Sequence, residues 1–258
     1  MEETWREEPA EPRSGPTGSG GEELWRGIGT VCASAVRLTG TDGAAVAVLS
    51  AASQARELVY ATDALAQQID ELQFTVGEGP CVEAYHHDRR ELWPDLSAGA
   101  AGARWPAFSA DALALGVRAV FAFPVPGAQG AVGVLELYRS TTGALSADEQ
   151  ESAGACADVV GAALRGEWER RIRAAGGVQG AVEAAVARGA GVADGYSRTV
   201  VFNAAGMVAV QLAVSPDEAL ARLRAYAYAN GRSISEVAAD IVARTLNMRD
   251  QRDSDGGQ

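Results

Sequence analysis

The feature that most constrains the fold is a set of three apolar stripes in the last fifth of the chain, residues 197–247. Within each stripe, apolar residues recur three and four positions apart, which is the period of an amphipathic helix. The stripes are Val201, Ala204, Ala205, Val208 and Leu212, then Ala219, Leu220, Leu223 and Ala227, then Val237, Ala238, Ile241, Val242 and Leu246. Two turn signals separate them, so the pattern predicts three short helices around a shared core.

The ends of these helices are also marked. Ser215 precedes a proline and, three residues on, Glu218, which is the capping-box spacing that satisfies free backbone amides at a helix start. Ser233 and Glu236 repeat that spacing. Gly231 lies where the second helix should end, because glycine readily adopts the left-handed conformation of a helix terminus. The sequence therefore predicts an all-α three-helix unit over residues 197–248.

The composition bounds the class of protein. The chain has 258 residues, 47% of them hydrophobic, which is enough for one large or two modest domains. Its apolar runs fall short of the roughly 20 residues of a membrane span. The acidic N-terminus also lacks the apolar segment of an export signal. We therefore expect a cytoplasmic protein with no membrane partner.

Charge and cysteine content narrow the class further. Every basic residue is an arginine, and the net charge is −12, which argues against broad electrostatic binding to nucleic acid. Any nucleic-acid site must then be local. Cys32, Cys81 and Cys156 are far apart and lack the spacing of metal ligands, which fits reduced thiols better than a disulfide framework.

Upstream of the three-helix unit, strand and helix patterns alternate. The predicted strands are residues 44–49, 57–61, 91–93, 117–125 and 131–138, and the predicted helices begin near residues 22, 63, 80, 105 and 147. The first two strands are expected to pair antiparallel and the last two to form a hairpin. The helix from residue 63 is expected to end at Leu72, and the glycine- and alanine-rich stretch after Leu96 is expected to be a loop. The order predicts an α+β domain, with one antiparallel sheet and helices packed against it.

The predicted domain boundaries follow from these patterns. Residues 1–21 are a disordered tail rich in Glu, Pro, Gly and Ser, and residues 22–173 form the α+β domain, including a long C-terminal helix. Residues 174–196 are a flexible, glycine-rich linker. After the three-helix unit, residues 249–258 form a second disordered tail.

One run in the α+β domain is distinctive. It reads Leu72-Gln73-Phe74-Thr75-Val76-Gly77-Glu78-Gly79-Pro80-Cys81-Val82-Glu83-Ala84, and it is joined by Pro94-Asp95-Leu96, Arg104-Trp105-Pro106-Ala107-Phe108 and the strand that ends at Phe123-Pro124. Over residues 24–165 the chain resembles the GAF family, in particular the GAF sensor domains found upstream of ANTAR modules in actinobacterial regulators. The resemblance implies a domain that senses a small ligand or a redox state, with the ligand itself unknown.

The three-helix unit has a resemblance of its own. The matching residues are Ala205-Gly206-Met207 in the first helix, Glu218-Ala219 with Leu223 and Ala227 in the second, and Val237-Ala238 with Ile241-Val242 in the third. On these residues the unit resembles the ANTAR family, which are RNA-binding modules of bacterial transcription antitermination regulators. The resemblance implies a homodimer that grips structured nascent RNA, and the long helix of residues 146–173 is a candidate dimer contact.

The candidate RNA-binding residues lie in this unit. Five of them, Arg198, Arg222, Arg224, Arg232 and Arg244, are cations that could meet phosphates, and Tyr226 and Tyr228 could stack on splayed loop bases. A solvated helix face explains the arginines equally well, and packing between helices explains the tyrosines. The resemblance adds Ala205, Gly206 and Met207; many ANTAR modules carry a lysine where this chain has Ala205.

The candidate sensor residues lie in the GAF-like domain. Cys81 follows a proline at a helix start, where the positive end of the helix lowers a thiol pKa, and it could sense redox state or electrophiles. The alternative is a small buried residue that packs a tight turn. Glu78, Asp95 and Arg104 could line the concave face that holds ligands in GAF domains, although Glu78 fits an exposed turn as well.

The sequence offers little for catalysis or for a metal. It lacks a nucleophile elbow, a nucleotide-binding glycine loop and a paired-carboxylate motif. Neighbouring His86 and His87 point about 100° apart on a helix and do not easily share a metal. We therefore expect no enzyme activity, no cofactor and no metal, and a regulator that senses a signal and binds RNA.

Two alternatives stay open at this point. One is a sensory dimerisation or interaction protein whose ANTAR-like unit no longer binds RNA. The other is a thiol enzyme, such as one that reduces free methionine sulfoxide, built around Cys81.

Overall fold

The computed structural model describes residues 19–50, 55–177, 179 and 198–249, and these residues form two units. The first unit contains α1 (Ser19–Thr39), β1 (Gly43–Ser50), β2 (Ala55–Ala61), α2 (Ala64–Val76), α3 (Pro80–His87), β3 (Glu91–Trp93), α4 (Gly99–Arg104), α5 (Pro106–Ala114), β4 (Ala119–Pro126), β5 (Ala131–Arg139) and α6 (Ala147–Ala174). The second unit contains α7 (Thr199–Leu212), α8 (Pro216–Ala229) and α9 (Ile234–Val242). Most of the predicted tails and linker lies outside the described residues, and those boundaries stay predictions.

The five strands of the first unit form one sheet in the order β2-β1-β5-β4-β3, and each neighbouring pair is antiparallel. The expected pair β1–β2 and the expected hairpin β4–β5 are both present. The last of the described strands, β5, lies at the centre of the sheet between β1 and β4. The predicted α+β class is therefore confirmed.

Helices cover both faces of this sheet because its strands alternate two sets of apolar residues. Along β1, Ala44 and Val46 belong to the core that α1 and α6 complete, whereas Ala45 packs with residues of α2 and α5. In β5, Leu135 faces the α1–α6 side and Val134 packs on the other side beside α3. Each buried side chain of the size of leucine contributes roughly 1.5–3 kcal/mol, so both layers stabilise the sheet.

The second unit has the predicted three helices and the predicted core. Its buried residues are Val201, Ala204, Ala205 and Val208 from α7, Ala219, Leu220, Leu223 and Ala227 from α8, and Ile234, Val237, Ala238 and Ile241 from α9. Ser233 and Glu236 form a complete capping box, whereas Ser215 accepts from the Glu218 amide without the reciprocal bond. Gly231 adopts a φ of 61°, as expected after a helix end.

Three predicted boundaries are wrong, each for a local reason. Helix α2 continues past Leu72 to Val76, because Gly77, with a φ of 76°, provides the left-handed cap that ends it. The stretch after Leu96 forms α4 instead of a loop, since alanine favours helix and Ala101 is buried against the core. Helix α9 ends at Val242, so the apolar residue Leu246 packs from beyond the helix.

A buried side chain of the first unit lies in the core of the second unit. Phe74 projects from α2 of the first unit and is 1% exposed within the core of the second unit. Its ring packs edge-on against Phe202 of α7, with 6.3 Å between ring centroids. Helix α2 is therefore the element of the first unit on which the three-helix unit is seated.

Among the described helices, none is by itself long and apolar enough to cross a membrane. Helices α7 and α8 reach that length and apolarity only as a pair, and the pair is bent by 105°.

Candidate functional site

An open groove of about 610 Å³ runs along one side of α7 and the segment that follows α9. Its lining is Asn203, Gly206, Met207, Val210, Gln211, Arg244, Leu246 and Asn247. The groove exists because α9 ends early: the chain turns at Arg244, whose φ is 61°, and returns beside α7 instead of continuing as helix. We call this feature the α7 groove.

The α7 groove combines an apolar floor with polar groups at its edges. Met207 and Leu246 are partly buried and pack on the core of the three-helix unit. Asn203 is exposed, and Asn247 accepts a hydrogen bond from the Arg249 amide at 3.0 Å. Side-chain amides of this kind can both donate to and accept from the edge of a nucleic-acid base.

Gln211 is the most informative residue of the groove. Its Oε1 atom is buried and has no hydrogen-bond partner among the residues that the structure describes. A buried acceptor without a donor costs roughly 1–3 kcal/mol, so the Gln211 side chain would gain a hydrogen bond by turning its amide outward to a donor in the groove. The backbone carbonyl of Gln211 is already used, since it accepts from the Arg249 guanidinium.

Arg244 supplies the positive charge at the groove. Its side chain is exposed, and within residues 19–50, 55–177, 179 and 198–249 it has no ion-pair partner. Arginine is the side chain best suited to phosphate because its planar guanidinium offers two parallel donors. The α7 groove therefore has a free cation beside base-sized apolar and amide surfaces.

Three residues of α7 were predicted by resemblance to contact RNA, and the structure places them in two different environments. Gly206 and Met207 line the groove. Ala205 is 4% exposed and packs in the core of the three-helix unit, so the prediction that it contacts RNA is corrected. Sequence reasoning missed Asn203, Gln211 and Asn247, because nothing in the stripe pattern showed which side of α7 would stay uncovered.

The arginines predicted on α8 and beyond are paired within the unit. Arg222 lies 2.6 Å from Glu218, and Arg232 lies 2.8 Å from Asp240. Both pairs are partly exposed, and such pairs contribute little to stability, so either arginine can exchange its partner for a phosphate. Tyr226 is partly buried against the core, which favours the packing alternative over base stacking.

The predictions that Arg198 and Arg224 contact RNA are also corrected, because both side chains bind the first unit. Arg198 is 4% exposed, and its guanidinium binds Asp70 at 2.6 Å and Glu71 at 3.1 Å. Arg224 donates through Nε to the backbone carbonyl of Phe74 at 3.0 Å. Arg198 is therefore buried and Arg224 is only partly exposed, so in this arrangement both side chains are engaged with the first unit and not with RNA.

The residues predicted to line a ligand site in the first unit, Glu78, Asp95 and Arg104, bind other parts of the same unit. Glu78 accepts from the backbone amides of Ala107 and Phe108, at 2.8 and 3.1 Å, and so caps the start of α5. Asp95 accepts from the amide and hydroxyl of Ser97, and these bonds lower the pKa of Asp95. Glu78 therefore joins its own turn to the start of α5, and Asp95 stabilises a local turn.

Arg104 also has structural partners. It pairs with Glu83 of α3, and its guanidinium lies 5.2 Å from the Trp105 ring centroid and 5.6 Å from that of Trp93. The hydrogen bond to Glu83 raises the pKa of Arg104, which stays a cation. The sensed ligand remains a prediction that the positions of Glu78, Asp95 and Arg104 do not support.

The pKa of Cys81 differs from the prediction, because the thiol is buried. The thiol lies in the interior of the first unit, and burial raises the pKa of Cys81 well above its usual value, with Glu136 adding to the shift. The expected lowering at the helix start is wrong, because loss of hydration outweighs the helix dipole. The alternative, a small buried residue at a tight turn, describes the structure.

Around Cys81 lies a buried polar network that the sequence did not reveal. Gln73 of α2 donates to both carboxylate oxygens of Glu136, at 2.7 and 3.0 Å, and accepts from the Cys81 amide at 2.8 Å. Burial raises the pKa of Glu136 to about 7, although the charge of Arg56 opposes the shift. The interior of the first unit therefore contains a carboxyl group that titrates near neutrality.

One further cluster meets the distance requirement of a metal site. Glu83, His87 and Glu91 place ligand atoms within 4.8 Å of one another. The carboxylates already serve arginines, since Glu83 pairs with Arg104 and Glu91 pairs with Arg89 at 2.9 Å. We interpret the cluster as an ion-pair network of α3 and β3.

Comparisons with known families agree with this two-unit architecture. A family model described as a GAF domain matches residues 28–165, which is more than half of the chain. A model described as an ANTAR domain matches residues 196–242. No curated protein matches the chain.

Solved structures with a similar fold cover a little over half of the chain. The GAF domain region of a Geobacter sulfurreducens PCA protein described as a membrane protein is 11% identical, with a TM-score of 0.46, and covers 57% of this chain and 96% of its own. The GAF-B domain of DevS from Mycobacterium smegmatis is 18% identical, with a TM-score of 0.41, and covers 58% and 97%. The type II free methionine-R-sulfoxide reductase from Thermoplasma acidophilum is 13% identical, with a TM-score of 0.42, and covers 56% and 94%.

Proposed function

The chain belongs to the GAF domain family and carries an ANTAR domain after the GAF domain, and from this premise we propose that it is a cytoplasmic regulator that binds nascent RNA and causes transcription antitermination. The GAF domain senses a small ligand or a redox state, and the ANTAR domain binds the RNA. The single observation that carries the RNA proposal is the open α7 groove of the ANTAR domain, in which the exposed side chains of Asn203 and Arg244 flank an apolar floor.

The α7 groove suits an unpaired base from an RNA loop. Sequence-specific RNA recognition targets bases that are splayed out of a loop and bound on their edges. Asn203, whose side chain is exposed, would donate to or accept from the edge of such a base, and Gln211 would accept from an exocyclic amino group once its buried amide turns outward. Met207 and Leu246 provide the apolar surface on which the base lies.

Among the residues that line the α7 groove, Arg244 carries the positive charge. Arg244 is placed to meet the phosphate of the bound nucleotide, while the chain as a whole has a net charge of −12. An acidic protein gains little from non-specific attraction to RNA, so binding depends on the fit of the loop base. This accounts for selective binding by a domain with few free cations.

The regulatory step follows from holding a hairpin. A nascent transcript that is folded as an antiterminator hairpin and gripped at its loop cannot donate the same nucleotides to a competing terminator stem. The protein therefore needs only to stabilise one RNA fold over another, and no covalent step is involved. Catalysis has no part in the proposal, since burial raises the pKa of Cys81 and removes the reactive thiolate that an enzyme would need.

A homodimer is part of the proposal. Family resemblance supports it, because ANTAR regulators engage paired hairpins, and α6 leaves Val159 53% exposed near the middle of its length. Molar mass from light scattering tests it directly. A monomer at micromolar concentration, with RNA present, would contradict the dimer.

Titration of tandem hexaloop RNA hairpins, followed by gel shift, tests RNA binding. The control RNA keeps both stems and replaces each hexaloop with a tetraloop of unrelated sequence. We expect a shift for the hexaloop hairpins alone at moderate salt. Absence of any shift at low salt, for a protein that is folded by circular dichroism, would contradict the proposal.

One observation favours the alternative function of an interaction protein without RNA. Four of the predicted RNA-contact arginines already have partners within the protein: Arg198, Arg222, Arg224 and Arg232. The alternative requires that loss of the groove residues Asn203 and Gln211 leave the protein's interactions unchanged. A drop in RNA affinity on Asn203→Ala would exclude it.

A further inference from the structure

The ANTAR domain is held on α2 of the GAF domain by specific polar contacts as well as by Phe74. Ser235 Oγ donates to Glu71 Oε1 at 2.9 Å, and the Ile234 amide lies 3.5 Å from Thr75 Oγ1. Both contacts come from the start of α9. Together with the contacts of Arg198 and Arg224, these bonds hold one side of the ANTAR domain against the GAF domain. The α7 groove stays open.

The environment of Arg198 matches what RNA would offer a guanidinium. Its Nη2 lies 2.6 Å from Asp70 and 3.1 Å from Glu71, and its Cζ lies 3.8 Å from the centroid of the Phe74 ring. Carboxylates occupy the positions that phosphate oxygens take around arginine, and an aromatic ring occupies the position of a stacked base. Helix α2 therefore presents an RNA-like surface to this cation.

Arg224 is held on the same ring from α8. Its Nε donates to the Phe74 carbonyl, and its Cζ lies 5.6 Å from the ring centroid. Burial, with Arg56 and Arg198 nearby, lowers the pKa of Arg224, because the partly buried guanidinium has lost hydration. Release from α2 would restore that hydration.

The other side of α2 faces the GAF interior. Asp70 binds Arg56 of β2 as well as Arg198, and Gln73 joins Glu136 of β5 to the backbone at Cys81. Burial alone would raise the pKa of Asp70, but the two arginines hold it below its usual value. A change in the GAF interior that displaces α2 would therefore also displace the carboxylates that bind Arg198.

We propose that α2 is a latch: in the docked state it covers Arg198 and Arg224, and its displacement by the sensed signal releases both guanidiniums to bind RNA phosphates. This inference rests on the proposed function and adds how RNA binding is regulated. In the docked state the α7 groove still recognises a loop base, but the RNA backbone lacks two of its cationic contacts. The signal then changes affinity without changing which loop is recognised.

The latch predicts a particular change in salt dependence. Each phosphate that a cation neutralises steepens the slope of log K against log salt by about 0.7 on single-stranded RNA. Release of Arg198 and Arg224 should therefore steepen the slope by about 1.4. The accompanying gain in affinity should be about tenfold or more at low salt, limited by how strongly the docked state is favoured.

Weakening the rim of the contact tests the latch in the full-length protein. The double variant Glu71→Ala with Ser235→Ala removes one ion pair and one hydrogen bond between the domains and leaves Asp70, Phe74 and the α7 groove intact. Tandem hexaloop RNA hairpins are the probe. We expect tighter binding and a steeper salt slope, and we expect both gains to vanish when Arg198→Ala and Arg224→Ala are added.

Controls separate the latch from simple charge and folding effects. Glu57→Ala removes an exposed acidic charge of the same GAF domain and should leave the RNA affinity unchanged. Glu71→Gln keeps an acceptor for Ser235 while removing the charge beside Arg198, and it should give an intermediate gain. If the double variant is poorly folded by circular dichroism, Glu71→Gln alone decides the question.

The outcomes distinguish the latch from the proposed function. RNA binding by the wild type, with no gain in either Glu71 variant beyond that of Glu57→Ala, would overturn the latch and leave the proposed function standing. Weaker binding in both Glu71 variants would also overturn it, because docking would then be the RNA-binding state. Absence of RNA binding in every variant would defeat the proposed function and the latch together.

Discussion

Arg198 Nη2, at the start of the ANTAR domain, lies 2.6 Å from Asp70 Oδ2 in the interior of the GAF domain, and both side chains are at most 5% exposed. The pair joins residues 128 positions apart. Asp70 also binds Arg56, so one carboxylate connects the sheet of the GAF domain to the first helix of the ANTAR domain. The junction between the domains is therefore a buried charge network.

We predict that Arg198→Ala destabilises the protein by about 3 kcal/mol, because it leaves a buried carboxylate with one partner instead of two. It also removes the guanidinium stacked on Phe74. The matched control is Arg222→Ala, which breaks a partly exposed pair with Glu218 and should cost no more than about 1 kcal/mol. Urea unfolding measures both. Equal losses would show that the Arg198 pair is energetically a surface pair.

Glu136 gives a prediction about pH. Its pKa in the folded protein is about 7 against an ordinary 4.5, so the folded state binds more protons than the unfolded chain between these values. Stability should therefore fall as pH rises through this window and level off above pH 7. Glu136→Gln removes the titration while keeping an acceptor for Cys81 and Gln73.

The expected result is that Glu136→Gln matches the wild type near pH 4.5 and exceeds its stability at pH 8 by up to about 3 kcal/mol. Thermal unfolding across this pH range measures the difference. Glu57→Gln, an exposed glutamate on β2, is the control and should change neither end of the range. Parallel pH curves for Glu136→Gln and the wild type would contradict the prediction.

Gly206 separates folding from RNA binding. A Cβ atom added at this position would meet no heavy atom of a neighbouring element within 4 Å, and replacing a glycine inside a helix gains about 0.5–1 kcal/mol. We therefore predict that Gly206→Leu is at least as stable as the wild type but fills the α7 groove and weakens RNA binding at least tenfold. Gly27→Leu, in an equally open position of α1, is the control for stability without loss of binding.

Substitution of Arg244 separates the effect of its charge on RNA binding from its effect on stability. Its φ of 61° favours glycine, so Arg244→Gly should keep or raise stability by up to about 1 kcal/mol while removing the cation at the groove. The salt slope of RNA binding should become shallower by about 0.7. Ala213→Gly relieves a similar φ of 53° away from the groove and should leave RNA binding as it is. An unchanged salt slope in Arg244→Gly would exclude Arg244 as a phosphate contact.

Local signals made most of the fold predictable from the sequence. Apolar spacing and the serine caps at Ser215 and Ser233 are short-range features, and each marks a helix that the structure contains. A short-range pattern, two strands joined by a short link, also predicted the hairpin β4–β5. Boundaries failed where a longer-range contact or an isolated glycine decided them, as at Gly77 and along α4.

The candidate site was predictable only in part, because it depends on what covers each surface. Gly206 and Met207 came from family resemblance and do line the α7 groove, but Ala205, one residue earlier, faces the core. Arg198 resembled an exposed cation in the sequence and is buried by Asp70, which lies in the other domain. Gln211 showed no signal at all, since its unpartnered oxygen arises from the early end of α9.

The most direct test of the central claim, that the α7 groove holds RNA, is ultraviolet crosslinking of tandem hexaloop hairpins to the full-length protein, with the crosslinked peptides identified by mass spectrometry. The account predicts crosslinks on peptides that contain Asn203, Met207 or Asn247, and their loss in Gly206→Leu. Crosslinks confined to the GAF domain, or to a face of the ANTAR domain away from α7, would contradict it.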